Sequence, residues 1–251
     1  MKILFLTTSY PRFGKNQREF AMNIHNLAKE ISRKGNEVTV VAPNDNNTLG
    51  YKKVNNVVID RFSYWFPKQS QRVAYGDGIP DNLKNSLLAK IQFPFFFFFF
   101  FLKSVNTARG KDIIHAHWLL SGLVGIFVSR FLDIPIYITF RGSGIRNSPK
   151  AISKFVVYHS DAVNVDSQNY KDMVDELCVN YNHSPVKLKY INEDVFNKNI
   201  NGDKIIKEFN LQGKRVITHV GRLVSLKEVD VLIKSMSYIQ KARPKLKYKL
   251  L

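Results

Sequence analysis

The chain has 251 residues, 45% of them hydrophobic and 23% charged, a balance that excludes a disordered chain, a collagen-like repeat and a multi-span membrane protein. That length fits one large domain, or one domain and part of another. Lysine and arginine number 38 against 20 acidic residues, a net charge of +18, which favours anionic partners such as nucleotides, nucleic acid or an acidic membrane surface.

The lone cysteine, Cys178, excludes an internal disulfide framework and a cysteine-rich metal site, and is compatible with a reducing cytoplasm. Residues 2–8 form an apolar, β-rich run without alternation, the pattern of a parallel strand covered on both faces. The run is too short for a secretory signal. A loop with Pro11 and Gly14 follows. Phe20, Ile24, Leu27, Ala28 and Ile31 then recur at three- and four-residue spacings, predicting an amphipathic helix over residues 16–34 that Gly35 stops. A strand over 37–41, ending at Pro43, closes a right-handed βαβ unit. Residues 44–85 are polar and broken, with a strand expected over 57–62 and a turn over 76–80.

Seven consecutive phenylalanines occupy residues 95–101. The apolar stretch around them is about ten residues, against the roughly 20 that a membrane-spanning helix requires, so a span is not expected. Two readings fit the tract. One is a helix buried in the domain; the other is a helix whose outer face lies in a membrane interface, where aromatic rings and the flanking Lys90 and Lys103 are favourable.

Beyond the tract, strands are expected over 111–118, 135–140, 162–165 and 186–191, and helices over 119–131, 148–159 and 168–177. Ser148 and Pro149 mark the start of the second of these helices. Residues 192–214 turn polar and read as a linker. A strand over 215–220, a loop over 221–226, a helix over 227–238 and a strand opening at 248–251 follow. The expected organisation is therefore an α/β parallel-sheet domain over 1–191 with helices on both faces. A linker over 192–214 and the beginning of a second β-α-β domain over 215–251 come next, the last too short to bury its own core.

Three groups of residues stand where chemistry is expected. His115 and His117 end a predicted strand, and a period of two places them on one face, at the strand ends where open parallel sheets hold ligands. Strand histidines also serve simply to satisfy backbone groups, and no cysteine or acidic partner stands at metal-site spacing, so no metal is expected. Arg141, Gly142, Ser143 and Gly144 follow the next strand, where glycine allows a tight turn or close approach to a ligand. Gly14 occupies the corresponding place after the first strand, without the glycine spacing of dinucleotide binders. Arg222 and Lys227 lie between a strand and a helix, where a diphosphate would meet N–H donors and two positive charges; a solvated basic turn is the plainer reading.

Together these segments resemble the family 4 glycosyltransferases. The resemblance rests on the run from Lys2 to Arg12, the Gly35 to Pro43 segment, Tyr75-Gly76-Asp77-Gly78-Ile79-Pro80, Asp112 to Trp118, Thr139 to Ser143, and Val220 to Lys227, in that order over nearly the whole chain. It implies a GT-B architecture of two Rossmann-like domains, with the acceptor mainly on the first and a nucleotide sugar mainly on the second, and transfer of a hexose with retention and no required metal or other cofactor. It further implies that Gly14, Arg222 and Lys227 meet the donor phosphates, and that His115, His117, Arg141, Gly142 and Ser143 line the cleft or acceptor side. No catalytic residue is assigned. Arg141 stands where the family usually has histidine, Gly144 where it often has aspartate, and Glu228 where glycine normally follows the lysine.

The family's paired glutamates of the second domain find no counterpart before Leu251, so this chain by itself is expected to lack appreciable activity. The expected partners are a nucleotide sugar, a lipid-linked or glycan acceptor, and an anionic membrane contacted peripherally, with a cytoplasmic location at the inner face of the cell membrane. Two other readings are a non-catalytic remnant of such an enzyme and a basic nucleic-acid-binding protein. The second rests on charge alone, without a recognition-helix pattern, and no specific nucleic acid is expected.

Overall fold

A computed structural model describes residues 1–13, 21–45, 48, 50–140, 148–165, 167–178, 196–221, 223 and 227–251. The chain divides into two compact units, Met1–Tyr190 and Ile191–Leu251.

In the first unit the elements run β1 (Lys2–Thr7), α1 (Met22–Arg33), β2 (Glu37–Pro43), β3 (Tyr51–Val54), β4 (Val57–Phe62), α2 (Ile79–Asn85) and α3 (Leu87–Ala108). They continue with β5 (Ile113–His117), α4 (Leu119–Leu132), β6 (Ile136–Phe140), α5 (Lys150–Tyr158), β7 (Ala162–Val165) and α6 (Gln168–Leu177). The strands form one sheet in the order β3-β4-β2-β1-β5-β6-β7. Every pairing is parallel except β3 with β4. β3 is the element the sequence reading missed. It folds back on β4 through Asn55 and Asn56, both at positive φ (51° and 63°), the backbone that a two-residue hairpin turn requires and asparagine tolerates.

Successive residues of β1 point to opposite faces and seed two cores. Phe5 joins Val38, Val40 and Ile59 under Ile24 and Ala28 of α1. Leu4 and Leu6 face the other way, with Ile114 and Ala116, under the layer that includes α3 and α4. Helices therefore cover both faces, as expected. Close packing of that second layer depends on Gly125: a Cβ there would stand 2.6 Å from Ile136 Cδ1. The expected helix start at Asn16 and the strand over 186–191 lie outside the described residues.

The phenylalanine tract is the middle of a 22-residue helix, α3, which runs through Pro94. Length and composition alone make α3 sufficient to cross a membrane, which corrects the expectation drawn from the tract by itself. Leu87, Leu88 and Ile91 before it and Val105 after it extend the apolar run. One side of α3 is nevertheless committed to the sheet. Ala89, Gln92, Phe96, Phe100, Ser104 and Ala108, spaced three and four apart, are buried. Phe100 stacks on Phe62 at 4.9 Å, and Phe96 lies edge-on to Tyr64 at 5.0 Å. The opposite side, including Ile91, Phe95, Phe98 and Leu102, is exposed. The buried reading thus describes one face of the helix, while the other face is exposed.

The second unit holds α7 (Asp203–Glu208), β8 (Arg215–Ile217), α8 (Val229–Ala242) and β9 (Tyr248–Leu250), with β8 and β9 parallel. Helix α7 falls within the stretch read as linker, where the Asn201 side chain accepts from the Asp203 N–H at 2.7 Å. Among the described residues of this unit only Leu211 is a buried hydrophobic. Two strands and two helices of this size bury little.

Candidate functional site

From β1 the chain moves to β2 on one side of the sheet, and from β5 it moves to β6 and β7 on the other. The order therefore reverses between β1 and β5, and the crevice beyond the carboxyl ends of these two strands is where an open α/β sheet holds its ligand. His117 ends β5 in register with Thr7 of β1 and Thr139 of β6. His115 lies on the same face as His117, their ring centroids 4.2 Å apart. Both rings meet Phe5, at 4.7 and 4.9 Å. His115 Nε2 and the Thr139 hydroxyl are hydrogen-bonded at 2.8 Å.

Both imidazoles are buried, at 5% and 0% exposure, so they form a packed floor behind the strand ends. Among the described residues no three His, Cys, Asp or Glu side chains are grouped to hold a metal. The next residue, Trp118, has φ 68°, a costly backbone for a bulky side chain that persists where its surroundings enforce it. Its N–H donates to the Thr139 carbonyl at 3.0 Å, which ties the β5–α4 turn to the end of β6.

A second cluster, which sequence reasoning missed, lies beyond the ends of β1, β2 and β4. Arg61, buried near the end of β4, donates to the carbonyls of Pro43 at 2.9 Å and Pro11 at 2.6 Å. Arg61 thereby joins the end of β2 to the segment that follows β1. Arg12 pairs with Asp45 at 2.5 Å, and its guanidinium lies 5.3 Å from the centre of the Tyr75 ring. Burial pushes the Tyr75 hydroxyl above its ordinary pKa, with the Arg61 charge opposing. After Tyr75, Gly76 (φ 59°) and Gly78 (φ 104°) carry the chain into α2, where Pro80 occupies the first turn. The Tyr75-Gly76-Asp77-Gly78 run was legible as a turn, whereas an arginine inside a strand carried no signal.

Beside this cluster, Tyr10 and His25 are joined between hydroxyl and Nδ1 at 2.8 Å. Asn55 Nδ2 donates to His25 Nε2 at 3.1 Å, which leaves Nδ1–H to donate to Tyr10. Burial, with Lys29 nearby, lowers the His25 pKa to about 4.

Of the residues expected at the site, the structure brings His115 and His117 together. Lys227, in the second unit, is exposed two positions before α8 begins. Its neighbour Glu228 adopts φ 47°, ψ 38°, the left-handed backbone that favours glycine. Gly14, Arg141, Gly142, Ser143 and Arg222 lie outside the described residues.

Residues 21–187, more than half of the chain, match the model of Glycosyltransferase Family 4. The chain belongs to this family. No curated protein matches it by sequence. Among solved structures, this family 4 member resembles sucrose-phosphate synthase from Thermosynechococcus elongatus (TM-score 0.73, 15% identity), with 99% of this chain and 61% of that one covered. It also resembles HepE of Anabaena in complex with UDP and glucose (TM-score 0.62, 16% identity, 95% and 58% covered). A third likeness is to the catalytic domain of starch synthase IV from Arabidopsis thaliana bound to ADP and acarbose (TM-score 0.59, 12% identity, 99% and 68% covered). At these identities the likeness shows the fold, that of the GT-B α/β glycosyltransferases. The chain spans about three fifths of the first two proteins, 61% and 58%.

Proposed function

We propose that this family 4 member takes part in transferring a hexose, with retention, from a nucleotide sugar to a lipid-linked or polysaccharide acceptor. The acceptor side would be residues 1–191, joined through 192–214 to a donor side that begins at 215. The observation that carries this reading is the family match over residues 21–187, on a sheet whose order reverses beside His117.

On the first unit, Arg141, Gly142 and Ser143 would meet the acceptor above the floor that His115 and His117 make, and Gly14 would approach the donor phosphates. On the second, Arg222 and Lys227 would neutralise the diphosphate as it departs, beside the N-terminal end of α8. Neither role calls for a metal ion or another cofactor. HepE with UDP and glucose and starch synthase IV with ADP support a nucleoside diphosphate as the ligand of this site. The reaction would take place on the cytoplasmic side, at the inner face of the cell membrane. Because this chain spans 58% of HepE and 68% of the starch synthase IV domain, the 251 residues alone would hold too few donor contacts to orient a sugar for attack.

Calorimetric titration with UDP, ADP and GDP, paired with an assay for nucleotide release from their glucose conjugates, tests the proposal. Weak saturable binding of one nucleotide, reduced roughly tenfold by Lys227→Ala, with no turnover, is expected. No saturable binding of any of the three would overturn the donor assignment, and turnover by the 251-residue chain would overturn the predicted inactivity.

A further inference from the structure

One surface of the first unit plays no part in the site. Helices α3, α4 and α5 lie side by side over one face of the sheet. Their solvent side is strongly apolar: Phe98 is 54% exposed on α3, Phe131 67% on α4 and Tyr158 68% on α5. Rings connect one helix to the next, Phe97 to Phe127 at 6.2 Å and Phe127 to Phe155 at 6.3 Å. This is a continuous patch rather than isolated surface residues, and such patches mark contact surfaces.

Charge identifies the partner. None of the three helices contains an aspartate or glutamate, while Lys90, Lys103, Arg130, Lys150 and Lys154 stand among the apolar side chains. Lys103 is engaged with Asp60 at 2.7 Å, and Lys90, Arg130, Lys150 and Lys154 are exposed. A second copy of the chain, docked face to face, would bring these cations against their own kind. A layer with an anionic surface over an apolar interior complements both properties.

We propose that the outer face of α3, α4 and α5 docks on an anionic phospholipid bilayer. The helices lie along the membrane plane, Phe98, Leu102 and Phe131 enter the acyl boundary, and the lysines meet lipid phosphates. Although α3 is long enough to span, its inner face is the cover of the sheet. Phe96 and Phe100 have 0% exposure, and Gln92 accepts from the Arg72 N–H at 2.8 Å and donates to the Ser70 carbonyl at 2.7 Å. A spanning α3 would strip that cover away. The proposal rests on the membrane-peripheral part of the function above and specifies its surface. α3 begins on the side where the strands end, so the docked face extends to the edge at which a lipid-linked acceptor would arrive.

Co-sedimentation of the 251-residue chain with vesicles of phosphatidylcholine and phosphatidylglycerol, and with phosphatidylcholine alone, tests docking without requiring turnover. At physiological salt, binding to the anionic vesicles is expected to be at least tenfold tighter. The triple variant Phe98→Ser, Leu102→Ser, Phe131→Ser should lose at least tenfold, and Lys90→Glu with Lys150→Glu and Lys154→Glu should abolish the anionic preference. Both variants should keep the wild-type circular dichroism, since every changed side chain is exposed. Ile233→Ser with Tyr238→Ser, exposed in the second unit, should bind as wild type. Failure of the wild type to bind anionic vesicles would overturn the proposal, as would binding that neither face variant weakens. A wild-type dimer that the triple variant makes monomeric, with no vesicle binding, would assign the face to a second copy instead.

Discussion

Arg61 donates to the Tyr75 hydroxyl at 2.6 Å, and that hydroxyl in turn donates to the Pro43 carbonyl at 2.8 Å. With the direct bonds from Arg61 to Pro43 and Pro11, one guanidinium fixes the ends of three strands. Arg61→Met leaves the buried Pro11 carbonyl without this donor and the Pro43 carbonyl with the Tyr75 hydroxyl in place of two donors, and should lower stability by about 3 kcal/mol. Tyr75→Phe removes the intermediate hydroxyl and should cost about 1 kcal/mol. Urea denaturation followed by circular dichroism measures both; a loss for Arg61→Met no larger than that for Tyr75→Phe would show that the network does not bind the strand ends together.

His25 makes stability depend on pH. The unfolded chain, with this imidazole at its ordinary value of 6.5, binds a proton that the folded chain refuses until about 4. Stability should therefore fall as pH drops from 6.5 toward 4 and stay level above that window, as far as His25 decides it. Protonation at Nε2 also sets two donors, His25 and Asn55, against each other. Melting temperatures at pH 7.5 and 5.0 should differ more for the wild type than for His25→Gln. Equal differences would assign the acid sensitivity to other groups.

Gly125 is needed for its lack of a side chain, not for its backbone freedom. In Gly125→Ala the new methyl group meets Ile136 Cδ1 at 2.6 Å, with Leu6 and Ala116 close behind. The strain of a packed core, typically 1–3 kcal/mol, outweighs the gain of about 1 kcal/mol in helix propensity. A net loss of about 1 kcal/mol is expected by urea denaturation. The double variant Gly125→Ala, Ile136→Val should recover part of it by making room.

Glu228 occupies a backbone conformation suited to glycine and adds a negative charge beside Lys227. Glu228→Gly relieves left-handed strain of about 1–2 kcal/mol, while adding chain entropy and removing a favourable helix N-terminal charge. Stability should change by less than about 1 kcal/mol, and nucleoside diphosphate binding should tighten. Weaker binding in this variant would show that Glu228 contributes a contact of its own.

The doubly wound sheet was legible because each of its parallel strands is a short apolar run between helical spacings. The His115 and His117 pair was legible because period two is a rule of backbone geometry. β3 was missed because Tyr51-Lys52-Lys53-Val54 is half polar, and an edge strand buries only one side. The full length of α3 was hidden because the phenylalanines drew a boundary that helical hydrogen bonding ignores. Helix α7 was taken for linker because six residues carry too little periodicity to stand out. Arg61 was illegible for a different reason. A buried cation gains its meaning from carbonyls 18 and 50 positions away, a relation that only the folded chain displays.

Strand β3, the antiparallel edge of the sheet, has a consequence for how copies of this protein meet. Its two central residues are Lys52 and Lys53, whose side chains point to opposite faces of the sheet, so a strand approaching that edge would have to accommodate a lysine on each face. Edge lysines are a means by which sheet proteins refuse to polymerise. The sheet is thereby closed to growth at β3, and a protein with so many exposed phenylalanines is protected at that border from fibre-like stacking.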